Sequence, residues 1–462
     1  MPMANSMQRN SPHILLINPW ITDFAAYNFW TRPLGLLTLA SRFRESGFRV
    51  TFIDCLDCHS KKKRYGDGNF FKTWIEKPLP LKSIPRYYSR YGIPEEALSE
   101  KLSSMGQPDV IGVTSGMTYW YPGVMKVIEI TRRFFKDVPV VLGGTYATLC
   151  QQHAQKHSGA DFIISGGGEG EALRLISELA HFDIPSSPVS HPHSAAPLSP
   201  QPVRPAGRLR VPDYPAFDLY PQLDFICIAT SRGCPLKCTY CASQLLYNGF
   251  DQRDPEGVVR EIEFWVTRNR INNVAFYDDA LLIRPRDHIL PILKGVIQGG
   301  IKCNFHSPNG LHVREIDEEL AALLFKAGFK TLRLGFETSN ETTQRETGWK
   351  VGNEEFVRSI RNLNRAGYSG DDIGVYLMAG LPGQRVGEVS ESIAFVRRAG
   401  ARPLLVEYSP IPLTPLFEEA KKTTQFDLEN EPLFQNNSIL PCQWEGFTMS
   451  DFRRLKEEVR RR

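Results

Sequence analysis

Apolar residues gather into short unbroken runs between residues 13 and 180, at 14–17, 50–53, 110–114, 138–142 and 162–165. Consecutive rather than alternating apolar positions mean that both faces of each strand are covered, which predicts a parallel sheet between layers of helices. The stretch 34–45 carries a helical period and stops at Gly47, just before the second run. Five such units predict an α/β, doubly wound, flavodoxin-like parallel sheet over residues 1–183. In such sheets ligands bind beyond the carboxyl ends of the strands. Those ends carry Asp54, Ser115-Gly116-Met117-Thr118-Tyr119, Gly143-Gly144-Thr145 and Gly166-Gly167-Gly168-Glu169. Glycine-rich and serine-rich turns let the backbone approach a flat or anionic ligand closely.

From 184 to 211 the periodicity vanishes into Pro, Ser, Ala and His, which predicts an extended linker; His191 and His193 lie inside it and are not read as ligands. A second pattern follows. Strands are predicted at 225–230, 273–277, 302–306, 331–336, 373–378 and 404–408, with helices at 256–268, 286–297, 317–327, 353–366 and 386–398. Ala327-Gly328, Ala366-Gly367 and Ala399-Gly400 place a glycine at the helix C-cap before the next strand. Six β/α units predict a partial (β/α)6 barrel over 212–412, and 413–462 a C-terminal cap ending in a charged amphipathic helix from Asp451. Residues 65–105 are an insertion whose aromatics either cover the ligand edge or dock on the second domain.

Composition narrows the function little. The 55 Lys and Arg against 51 Asp and Glu leave a net charge of +4, too weak to call for nucleic acid or an anionic membrane. No apolar run reaches the roughly 18 residues of a membrane span, and the N-terminus lacks a signal-peptide core. A cytoplasmic protein is expected, and in a reducing compartment nine cysteines suggest metal binding and core thiols rather than disulfides. Cys55-Leu56-Asp57-Cys58-His59 spells a haem-attachment pattern. Covalent haem needs an exported protein, and Cys55 directly follows a predicted strand, so the match is read as coincidence.

The chemistry concentrates at the strand ends of the second domain, where β/α barrels place their catalytic residues. After the first of those strands stands Ser231-Arg232-Gly233-Cys234-Pro235-Leu236-Lys237-Cys238-Thr239-Tyr240-Cys241. Thiolates spaced C-x3-C-x2-C on a turn are soft ligands for an iron–sulfur cluster or zinc, and three local ligands leave a fourth metal position open. A non-catalytic zinc or electron-transfer site closed by Cys227, Cys303 or Cys442 is the alternative. The other strands end in Asp278-Asp279, in His306-Ser307-Pro308-Asn309, in Glu337, in Tyr376-Leu377-Met378 and in Glu407-Tyr408.

Cys234, Cys238 and Cys241, with Tyr240 before the third cysteine, resemble the cluster loop of radical S-adenosylmethionine (SAM) enzymes. The flanking Thr230-Ser231-Arg232-Gly233-Cys234-Pro235, together with Pro33-Leu34-Gly35-Leu36-Leu37 and Gly143-Gly144, resembles the subgroup with an N-terminal cobalamin-binding-like domain. The resemblance implies a [4Fe–4S] cluster on the three cysteines and SAM on the open iron. It also implies an external one-electron reductant such as a flavodoxin or ferredoxin. Glu337 matches the position that takes the ribose, and Asp278 and Asp279 stand at the motif near the SAM amino group, though without its Gly-Gly-Glu form. Tyr240 is implied near the adenine and cluster. Asn309, Tyr376 and Met378 face either SAM or the substrate, a small molecule or peptide. Cobalamin is implied at Ser115, Gly143, Gly144, Gly166 and Glu169. The D-x-H-x-x-G motif that supplies the lower cobalt ligand in many cobalamin proteins is absent. With cobalamin, methyl transfer to an unactivated carbon follows; without it, radical cyclisation or rearrangement.

Overall fold

A computed structural model describes residues 11–183 and 214–461; the predicted linker 184–211, with His191 and His193, lies outside them. In the N-terminal domain, β1 (His13–Asn18), β2 (Arg49–Asp54), β3 (Val110–Val113), β4 (Val140–Leu142) and β5 (Phe162–Ile163) form one sheet. All its neighbours are parallel, in the order β5-β4-β3-β1-β2, which is the flavodoxin order. β4 starts only at Val140, after Pro139, which has no N–H for a ladder. The main helices of this domain are α1 (Leu34–Glu45), α2 (Glu95–Ser103), α3 (Tyr121–Phe134) and α4 (Glu169–Leu179). Ile14 and Leu16 pack with Phe43 of α1 and Ile176 of α4, while Leu15 and Ile17 pack with Val124 and Val127 of α3 on the other face. The unbroken apolar run of β1 is thus buried on both sides.

The insertion divides in two. Its C-terminal end is the crossover helix α2. Residues before it pair as His59–Lys62 with Gly68–Phe70, and as a three-stranded sheet in which Tyr88–Tyr91 lies between Lys72–Ile75 and Ile21–Asp23. The first hairpin docks on the second domain, through Lys62 to Asp224 at 2.5 Å and Tyr65 against His306 with ring centroids 5.1 Å apart.

In the second domain β6 (Ile226–Ile228), β7 (Asn273–Phe276), β8 (Asn304–His306), β9 (Phe329–Glu337), β10 (Ile373–Ala379) and β11 (Arg402–Glu407) run parallel in chain order. Its main helices are α5 (Pro255–Asn269), α6 (Ile289–Gln298), α7 (Glu318–Ala327), α8 (Asn353–Ala366), α9 (Val386–Arg398) and α10 (Met449–Arg460). Along β9, Leu332, Leu334 and Phe336 turn outward into a core with Phe356 and Leu363, which leaves Arg333, Gly335 and Glu337 to the inside. Gly328 and Gly367 end α7 and α8 at φ of 100° and 113°. Gly400, φ 89°, falls one residue past the α9 cap, which is Ala399.

The segment expected to cap the barrel also reaches the first domain. α10 packs on the barrel, with Ser390 donating to Glu458 at 2.8 Å and Lys456 to Glu407 at 2.6 Å. Ahead of it, Asn436 Nδ2 donates to Asp23 at 2.9 Å, and Tyr121 donates to Glu431 at 3.0 Å. The N-terminal domain in turn inserts Trp30, which stacks on His306 at 4.1 Å and packs with Phe225 and Ala275. Arg32 lies over the rings of Tyr220 and Phe225 and is paired with Asp57 at 2.8 Å. Among the described residues no helix is long and apolar enough to cross a membrane.

Truncating Trp30 removes that stack and leaves a cavity, at a cost of about 3–5 kcal/mol. Trp30→Ala is expected to melt lower than the parent chain and to separate the unfolding of the two domains into two calorimetric transitions.

Candidate active site: cysteine loop, barrel mouth and N-terminal cradle

β6 leads into a loop closed at its base by antiparallel pairing of Ser231 with Gln252 and Arg232 with Asp251. Gly233 has φ 76°, and a Cβ there would lie 2.1 Å from the Gly249 carbonyl, so the turn requires glycine. Cys234 and Cys238 are half-buried and Cys241 is exposed. Burial pushes the Cys234 thiol up to about 11, with Cys241 and Cys238 adding to the shift. The three thiols are therefore neighbours, and a metal would take them as thiolates. Among the described residues no three His, Cys, Asp or Glu side chains stand in ready-made coordination, so the loop offers donors rather than a rigid cage. Three soft thiols on one loop fit an iron–sulfur cluster.

None of the distant cysteines joins them. Cys227 is buried with its thiol on the Arg32 carbonyl, Cys303 lies against the Asn304 carbonyl before β8, and Cys442 sits in a core with Leu381, Tyr408 and Phe417.

The two aspartates after β7 part company. Asp279 faces the loop: it accepts from Ser243 Oγ at 2.6 Å, and its charge helps raise the Cys241 thiol, for which burial is the main cause. Asp278 takes its partners from the base of the loop instead. It is buried behind the loop, where its Oδ1 accepts from Thr230 N, Thr230 Oγ1, Ser231 N and Ser231 Oγ at 2.5–2.8 Å. It braces the base of the cysteine loop. Asn309 and Tyr376 brace the rim likewise, Asn309 Nδ2 donating to the Tyr277 and Asp278 carbonyls and Tyr376 to the Pro308 carbonyl at 2.9 Å.

Glu337 ends β9 at φ 71°, a left-handed conformation uncommon outside glycine and typical of functional sites. It accepts from Lys350 Nζ at 3.1 Å, the two side chains being 14% and 15% exposed. Burial opposes the Lys350 charge, but Glu337, Cys238 and Cys241 together raise its pKa. A Cβ at Gly335 would lie 2.2 Å from Lys350 Nζ, so this glycine makes room for the lysine. Neither residue was singled out in the sequence. Tyr240 packs with Met378 beside Tyr408 and Cys442, and burial, then Glu337, raises its hydroxyl.

In the N-terminal domain, Ser115 is turned to structural use, donating to the Gly143 carbonyl at 2.7 Å and accepting from Ala147 N. Gly144, φ 97°, admits the Ser115 carbonyl where a Cβ would lie 2.3 Å away. In front of Gly35 and Gly166, by contrast, nothing lies within 4 Å of a Cβ. These glycines open on a cavity of about 270 Å³, lined also by Gly143, Leu16, Leu36, Phe43 and Ile176. An apolar cleft fronted by bare backbone fits part of a large flat ligand such as cobalamin. Glu169 forms an ion pair across the domains with Arg232 of the cysteine loop.

The comparisons agree with this geometry. Residues 228–396 match the family model of the radical SAM superfamily, and residues 87–176 that of the B12 binding domain. The chain thus carries a radical SAM domain preceded by a B12-binding domain. The bacteriochlorophyllide d C-12(1)-methyltransferase of Chlorobaculum tepidum is 25% identical over 440 residues, 91% of this chain and 81% of that protein. The anaerobic magnesium-protoporphyrin IX monomethyl ester cyclase of Rubrivivax gelatinosus is 23% identical, over 78% of this chain and 68% of that one. Among solved structures, the radical SAM methyltransferase TsrM of Kitasatospora setae, with cobalamin and a [4Fe–4S] cluster, superposes with a TM-score of 0.63 at 18% identity, covering 89% of this chain and 75% of that one. The cobalamin-dependent enzyme OxsB gives a TM-score of 0.56 at 14% identity, over 93% and 55%.

Burial raises the Asp278 carboxyl from 3.8 to about 6 against the pull of its four donors. Between those values the native chain holds a proton that the unfolded chain has lost, so this group's contribution to stability falls as pH rises through the window. Asp278→Asn is expected to flatten that dependence in melting curves. Asp278→Ala, which removes the acceptor those four donors share, is expected to bind less iron per chain after reconstitution.

Proposed function

We propose that the chain is a cobalamin-dependent radical SAM methyltransferase acting on an unactivated carbon of a small-molecule or peptide substrate. The observation that carries this reading is a shared wall. Leu34, Gly35, Glu169, Arg232 and Tyr247 line both the cavity of the N-terminal cradle and a second one, of about 280 Å³, that runs to Asp279 and Tyr277 at the barrel mouth. A ligand in the cradle and one at the cysteine loop would thus meet in one chamber.

When bound, the cluster and SAM supply radical chemistry and cobalamin supplies the methyl group. The chain's part is to hold and orient. Cys234, Cys238 and Cys241 take the cluster. Asp279 offers an acceptor to the SAM ammonium group, and Glu337 offers its carboxylate to the ribose hydroxyls. Lys350, paired with Glu337 and beside the thiols, fixes that carboxylate and offsets the negative charge of the loop. Tyr240 and Met378 give an apolar surface for a base. A flavodoxin-like or ferredoxin-like donor in the cytoplasm completes the set, with no part for nucleic acid. The relatives named as methyltransferases support methyl transfer; the cyclase among them favours radical cyclisation as the second reading.

Anaerobic reconstitution with iron, sulfide and hydroxocobalamin tests this. The expected product holds about four irons and takes up cobalamin, and on reduction with SAM it forms 5′-deoxyadenosine, which Cys238→Ala does not. A chain that cleaves SAM but takes up no cobalamin would sink the methylase reading and leave cyclisation. Lys350→Met is expected to weaken SAM binding by about tenfold or more with iron content unchanged. Parallel loss of iron would instead assign Lys350 to folding the loop.

A further inference from the structure

The loop that carries the three cysteines also carries a wall of the N-terminal cavity. Residues 231–252 are tied at their base by the short pairing of Ser231-Arg232 with Asp251-Gln252, and within the span by Thr239, whose N–H donates to the Thr347 carbonyl and whose carbonyl accepts from Leu416 N, and by Ser243 on Asp279. The cysteines lie within this span, and so do Arg232 and Tyr247. Arg232 is paired with Glu169 at the first turn of α4, and its guanidinium lies 5.8 Å from the Tyr247 ring. Tyr247 in turn stands 3.9 Å from where a Cβ on Gly167 would be, so the loop rests on the glycine turn itself. Arg232 and Tyr247 line the cavity of the cradle together with Gly35, Gly143 and Gly166.

We propose that the two cofactor sites are thermodynamically coupled through this loop, with Arg232 and Tyr247 as binding residues for cobalamin that take up their binding positions only when the cysteines hold a cluster. The inference rests on the cobalamin reading above. Among the described residues the three thiols do not stand in ready-made coordination, so ligation must shift the span that carries them. Ligation at Cys234, Cys238 and Cys241 sets that span before the second ligand arrives, so that ligand no longer bears the cost of setting it. Arg232, held by Glu169, then presents its remaining N–H groups to the phosphate and amide oxygens that cobalamin carries. Coupling between binding sites is reciprocal, so bound cobalamin must in turn favour the cluster-loaded loop by the same factor.

The test measures hydroxocobalamin affinity, by absorbance under anaerobic conditions, for the full chain with and without its cluster. Affinity at least about fivefold tighter in the loaded form is expected, and bound hydroxocobalamin should raise by the same factor the equilibrium constant for iron retention against a chelator. Equal affinities in the two forms would overturn the coupling while leaving the cobalamin reading intact. No uptake by either form would overturn both. Arg232→Met, loaded to the same iron content as the parent, is expected to bind hydroxocobalamin more weakly and to lose most of the difference between forms. A variant that keeps the full difference would remove Arg232 from the proposal.

Discussion

Leu37 of α1 packs into the barrel core, while Leu36, Ala40 and Phe43 of the same helix pack on the N-terminal sheet, so the two domains share a helix and hold one orientation. The rest of the site depends on this constraint. β1 and β6 each bring their chemistry to the carboxyl end, and a helix common to both domains brings these ends to one chamber. Trp30 stacked on His306 and Arg32 over Tyr220 reinforce the same orientation from the loop just ahead of α1. A chain of aromatic and guanidinium contacts at these distances is directional as well as apolar, which suits an interface that must fix an angle rather than only bury area.

Behind the cysteine loop lies a buried polar network with one acceptor at its centre. Asp278 Oδ1 gathers four donors from Thr230 and Ser231, and Thr230 Oγ1 also meets His288 Nε2 at 2.8 Å. Arg253 donates to the Ala229 carbonyl and pairs with Glu261. Thiol ligands on a floppy turn would bind metal weakly; here the turn springs from a base whose backbone N–H groups are all but clamped. The cost of burying Asp278 appears in its raised pKa, and its paired donors offset that cost.

Much of the fold was legible because parallel strands covered on both faces leave unbroken apolar runs, and because Gly328 and Gly367 mark helix ends. The cysteines were legible from spacing. The roles of the two aspartates were not separated, although the period of two could have done it: Asp279 shares parity with Ala275 and Tyr277, and Asp278 does not. Lys350 left no signal. It reaches Glu337 from the loop before α8, through space that only the absent side chain of Gly335 provides, and such a contact exists only once β9 and that loop are folded. The crossing of Asn436 to Asp23 was hidden for the same reason.

The missing D-x-H-x-x-G motif finds a physical counterpart in the loop after β1. In many cobalamin proteins that loop delivers a histidine; here its side chains have other partners. Asp23 accepts from Trp120 Nε1 at 2.8 Å and from Asn436, Asn28 holds His59 and the Thr31 N–H, and Trp30 and Arg32 enter the interface with the barrel. A loop that positions the second domain is not free to reach over a ligand in the cradle. What lines the cradle in its place is the bare backbone of the glycine turns, with Arg232 and Tyr247 from across the domain boundary.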